Sequence, residues 1–143
     1  MSGAEAEIRK LIDDRIAAFR SKDAAAAVAC LSEDVVGFEM VPPLALPPGS
    51  ARDVDGLAGW LAGFLELDVE VRDLAIEAGD RVAFARALHH LTGTRLGGHR
   101  VSLWMRSTLC FRREADGWKI AHAHTSVPFH PGPEAKAALD LAP

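Results

Sequence analysis

Residues 101–129 read VSLWMRSTLCFRREADGWKIAHAHTSVPF, and this stretch decides the architecture. Val101 to Arg113 is a long apolar, aromatic and β-branched run. Asp116-Gly117 is a strong hairpin signal, and Trp118 to Phe129 returns as a second long strand. The pattern extends upstream. Asp68 to Glu77 alternates in part through Val69, Val71, Leu74 and Ile76, Gly79-Asp80 turns the chain, Arg81 to Thr94 continues as a strand, and Gly97-Gly98 turns it again. Four consecutive long strands joined by tight turns describe an antiparallel meander.

Helices precede the meander. Ile8, Leu11, Ile12, Ile16 and Phe19 repeat at the spacing of one helical face between Glu5 and Arg20. Asp23 can cap a short alanine-rich helix that ends near Ser32. Val35 to Val41 predicts a short first strand, stopped by Pro42-Pro43. Pro47-Pro48-Gly49-Ser50 marks a loop, and Asp53 can cap a third helix through Leu57, Trp60, Leu61 and Phe64, ending near Leu65. The sum is an α+β domain with three helices on the concave face of a curved antiparallel sheet. One domain is expected over residues 1–143, with its core at about 5–129 and a tail at 130–143.

Bulk properties narrow the function classes. At 143 residues, with 49% hydrophobic and 25% charged side chains, the chain can bury a full core, so a disordered or fibrous class is excluded. Net charge is −4 and no basic run exceeds two residues, as at Arg112-Arg113, so nucleic acid is not an expected partner. No stretch approaches the ~18 apolar residues of a membrane span, and the N-terminus lacks the basic-then-apolar order of a signal peptide. A cytoplasmic protein without membrane contact is expected. Cys30 and Cys110 lie far apart in sequence and read as small buried hydrophobes.

The order of helices and strands, with Glu39 and two prolines at the end of the first strand, resembles the SnoaL-like and ketosteroid-isomerase-like proteins of the cone-shaped, nuclear transport factor 2-like superfamily. The resemblance covers residues 5 to 129. The last hairpin, Trp104-Met105-Arg106-Ser107-Thr108 with His122-Ala123-His124-Thr125-Ser126, is also similar to the association domains of the calcium/calmodulin-dependent kinases. The resemblance implies a cone with a ligand pocket, a homodimer and no cofactor. It spans enzymes, binders and assembly modules, and so specifies fold better than function.

Glu39 occupies the place where the resembled isomerases carry a general base. Partial burial among Phe38, Met40 and Val41 would suit that role, whereas an edge carboxylate bonded to loop amides is the plainer alternative. The chain contains no tyrosine, so the oxyanion site of those isomerases cannot be complete here. His89 sits among Ala83, Ala85, Ala87 and Leu91, either on a pocket wall or as a core histidine bonded to a carbonyl. Trp104, Arg106 and Thr108 share one face of their strand, and His122, His124 and Ser126 share one face of the next. A one-residue change in the turn register exchanges the faces that pair. If inward, Arg106 could receive a carboxylate or enolate and a histidine could move a proton. If convex, Trp104 and Arg106 favour a dimer contact. His122 and His124 lack a third ligand at a supporting spacing, so no metal is expected. His90, His99 and His130 are expected to face solvent.

The candidate catalytic residues are thus Glu39 and His89. The candidate ligand-binding residues are Trp60, His89, Arg106, His122, His124 and Ser126. The leading expectation is a pocket protein for an apolar or carboxylate-bearing metabolite. The alternatives are a cofactor-independent isomerase, cyclase or dehydratase, and a non-catalytic dimeric assembly module.

Overall fold

A computed structural model describes residues 2–143. Helix α1 (Gly3–Arg20) starts at Ser2, whose hydroxyl accepts from the Glu5 N–H, and it buries Ile8, Ile12 and Ala18. Helix α2 (Ala24–Ala29) is capped by Asp23, and α3 (Val54–Ala62) by Asp53; each carboxylate accepts the amide three residues on, as the sequence indicated. Strand β1 (Leu31–Phe38) begins and ends earlier than its β-branched run suggests. The Ile120 amide donates to the Cys30 carbonyl and the Ser32 hydroxyl donates to the Ile120 carbonyl, which ends α2 early. Strands β2 (Phe64–Ala78), β3 (Val82–Arg95), β4 (Arg100–Glu114) and β5 (Gly117–Ser126) complete a five-stranded sheet.

The strand order is β1-β5-β4-β3-β2. Strands β2 to β5 form the expected antiparallel meander, but β1 lies parallel to β5, so the sheet is mixed. No hairpin joins β1 to β5, and nothing in their connection forces opposite directions. The outer edge of β1 is covered by its own following loop: the Leu46 amide donates to Gly37 and the Gly49 amide to Val35. This removes a sheet edge that would otherwise present unpaired backbone groups.

Helix α1 packs across the sheet face that carries Ile76, Ala83, Ala85, Leu109, Phe111, Trp118 and Ile120. A second cluster joins Ala24, Leu61, Phe64 and Leu67 at the α3 end. Curvature comes from bulges. One interrupts β2 between Arg72 and Ala75, with Asp73 in the left-handed region at φ 57°. Another makes Ala121 the extra residue of β5, because Phe111 pairs with Ile120 while Cys110 pairs with His122. Among the described residues no helix is long and apolar enough to cross a membrane.

Gly93 marks the closest approach inside the sheet. A Cβ there would lie 2.7 Å from the Glu66 carbonyl oxygen and 3.0 Å from the Phe64 ring. Backbone cannot yield as a side chain can. Gly93→Ala is expected to lower unfolding free energy by ~1–3 kcal/mol, measured by urea denaturation. An unchanged midpoint would show that β2 and β3 separate there at no cost.

Candidate functional site

Three chain segments meet beside the adjoining ends of β1 and β5. The end of β1 supplies Phe38, paired in register with His124 of β5. The Phe38 ring stands edge-on to His122 at 4.6 Å and to His124 at 5.4 Å between centroids. The segment after β1 adds Glu39, Met40, Leu44 and Ala45, while the end of β5 runs on through Val127, Pro128 and Phe129. The third wall is the tail, which turns back on itself. Phe129 forms a bridge with Ala137, the Ala138 amide donates to Pro128 and the His130 amide to Lys136. Ala138 is 2% exposed. The His130 Nε2 and an Asp140 carboxylate oxygen lie 2.8 Å apart, and this bond holds the Asp140 carboxyl below its ordinary range. Together the segments line an open groove of about 620 Å³ with predominantly apolar walls.

A second, much smaller space lies under α1. His89, Ile12, Leu74, Ala85, Ala87, Ser107 and Leu109 line a crevice of about 10 Å³, room for one water. His89 therefore faces the helix side of the sheet, as its alternation with the small alanines implies. Its ring makes no hydrogen bond to another described residue. Burial chiefly, and the Arg15 positive charge secondarily, push its pKa down to about 4.

The two candidate proton carriers open into different spaces. Glu39 is exposed, one residue beyond β1, and Met40 and Val41 are exposed beside it, so the expected burial does not occur. Strands β5 and β4 lie between its strand and that of His89. Trp60 stands on α3, 40% exposed and edge-on to Phe64 at 5.0 Å, and lines neither space.

The bulge at Ala121 settles the face of the last hairpin. Trp118 and Ile120 point to the helices, whereas His122, His124 and Ser126 turn to the opposite, convex face with Trp104, Arg106 and Thr108. Arg106 is exposed there and donates to Ser126 Oγ at 3.2 Å. His122 Nδ1 lies 2.7 Å from the Val36 carbonyl, which can only accept, so this nitrogen carries the proton. Trp104 stacks on His90 at 4.5 Å and 10°, with the Arg72 guanidinium 4.9 Å from the Trp104 ring centre. His90 is consequently half-buried and not the free surface residue the sequence suggested.

Of the sequence candidates, only Glu39, His124 and Ser126 come together at the groove. The aromatic and tail walls were not singled out, although Phe38 and Phe129 flank the two strand ends. Among the described residues no group of three or more His, Cys, Asp or Glu is placed to hold a metal, and Cys30 and Cys110 are free thiols.

Residues 8–130 match the SnoaL-like domain family. The chain belongs to that family. Among solved structures, this SnoaL-like chain is similar to an NTF2-like protein of unknown function from Pseudomonas putida KT2440, at 28% identity and a TM-score of 0.86. That match covers 100% of this chain and 99% of the other. It is also similar to a candidate dehydratase of the NTF2-like family from Streptomyces avermitilis, at 15% identity and a TM-score of 0.75, covering 86% of this chain and 95% of that one. A third is a candidate calcium/calmodulin dependent protein kinase II association domain from Xanthomonas campestris, at 17% identity and a TM-score of 0.73, with coverages of 93% and 91%. The last two likenesses are of fold alone. No protein of curated function matches the sequence.

The lowered pKa of His89 fixes a sign for acid stability. The unfolded chain takes up this proton first, near the ordinary value of 6.5, while the folded form resists to about 4. Stability from the neutral ring is complete above about pH 6.5, is lost as pH falls toward 4, and changes little below. Discounted for the part of the ring that water reaches, the loss is ~2–3 kcal/mol. Urea melts at several pH values should show this slope in the native chain and a flatter one in His89→Leu. An identical slope in both would reject the assignment.

Proposed function

We propose that this SnoaL-like protein binds a small, mainly apolar molecule in the groove beside the ends of β1 and β5. The supporting observation is the groove itself. Its volume of about 620 Å³ falls within the ~300–1,000 Å³ of small-molecule sites, and Phe38, Met40, Leu44 and Phe129 give it apolar walls with a few polar groups. The crevice at His89 is far too small for such a ligand. A two-ring aromatic such as 2-naphthol is a suitable first probe. At a hundredfold excess over its Kd it should raise Tm by about 5–10 °C. Ala137→Trp, which fills the groove from the tail, should remove that shift while leaving the unliganded Tm within a few degrees. A shift unchanged in Ala137→Trp would place the probe elsewhere and defeat the reading.

The enzymatic alternative has one observation in its favour: Glu39 and His124 line the same groove. Such a pair could move a proton next to a ligand carbonyl. An isomerase or dehydratase activity would then be lost in both Glu39→Gln and His124→Asn with probe binding retained. Glu39 and His89 do not offer this, because they face different spaces.

The assembly we favour is a homodimer through the convex face. Its centre holds Trp104 and His90, with Leu88 half-buried and Phe84 42% exposed. Charges of both signs surround it, Arg86 and Arg106 with Glu70 and Glu77, so one patch can meet its own copy across a two-fold axis. Sedimentation velocity should give a dimer for the native chain and a monomer for Trp104→Ala combined with Arg106→Glu. A native chain that sediments as a monomer at all accessible concentrations would exclude it.

A further inference from the structure

The charges at the groove restrict its ligand further than volume does. Among the residues that line it, Glu39 supplies the only carboxylate, and no lysine or arginine lines it. Glu39 makes no ion pair or side-chain hydrogen bond with another described residue. Two of the cations bordering it are paired with carboxylates, Lys136 with Glu134 at 3.0 Å and His130 with Asp140. Arg106 donates to the neutral hydroxyl of the lining residue Ser126, behind the groove wall, and keeps its own charge. Arg106 was the candidate receiver for a ligand carboxylate, yet it does not line the groove.

A carboxylate can only accept hydrogen bonds, and it attracts positive and repels negative charge. The aromatic rings of Phe38 and Phe129 add surfaces that also favour a cation. From this geometry we infer that the groove takes an apolar molecule bearing an amine or hydroxyl donor that meets Glu39, and that it discriminates against carboxylic acids. The inference rests on the groove reading above and narrows its ligand class.

A matched series on one skeleton tests it: 1-naphthylmethylamine, 1-naphthalenemethanol, 1-naphthoic acid and 1-methylnaphthalene, titrated calorimetrically near neutral pH and low salt. Attraction to one charge and repulsion of the other should separate amine from acid by about tenfold in Kd, with the alcohol between them, and salt should narrow the gap. In Glu39→Gln the separation should fall to about twofold or less, while Tm and the affinity for 1-methylnaphthalene stay unchanged. Glu39 is exposed, so this variant should fold normally. An amine preference below about threefold, or one that survives Glu39→Gln, overturns the charge rule and leaves the groove reading standing. Binding by none of the four overturns both.

Discussion

The one-residue bulge at Ala121 governs what the sheet presents to each side. Side chains on a strand alternate faces, so a strand without interruption would carry Trp118, Ile120, His122, His124 and Ser126 on one side. The core demands Trp118 and Ile120, which are 6% and 0% exposed. Without the bulge, two imidazoles and a hydroxyl would follow them under the helices, each requiring a buried partner. The extra residue lets the first half of β5 serve the core and the second half serve the convex face and the groove. His122 then finds the Val36 carbonyl, and Ser126 finds Arg106.

That inversion also separates the chemistry. The cone interior is left with His89 as its histidine on β3, and burial suppresses its charge. An imidazole that is neutral well below neutral pH, beside a space for one water, is suited to packing and poorly suited to capturing a proton from a ligand. Glu39, by contrast, stands exposed to solvent at the groove. Two groups that the sequence offered as alternative proton carriers answer to different surroundings.

Much of the fold was legible because local signals agreed with tertiary need. Asp23 and Asp53 cap the helices they precede, and the turn Ala115-Asp116 joins β4 to β5, with Gly117 just after it at φ 122°, a conformation that favours glycine. The parallel direction of β1 was not legible, since it follows from a contact between distant segments. The bulge left a trace that can be read in hindsight: within 118–126 one parity of positions passes from Trp and Ile to His, His and Ser. An apolar series that turns polar without changing parity conflicts with a single buried face, and an inserted residue resolves the conflict.

The groove was the least legible part, because two of its three walls come from segments that lack regular secondary structure. Residues 130–143 are rich in proline, glycine and alanine, a composition that by itself describes a loose tail. Their order comes from backbone pairing: Phe129 opposite Ala137, His130 to Lys136, and Ala138 to Pro128. Small side chains allow that close return, and Ala138 is buried where a larger residue would hold the strap away. The alanines that make the tail featureless in sequence are what let it stand close to Phe38 and Met40, so the site's shape depends on residues with no chemistry of their own.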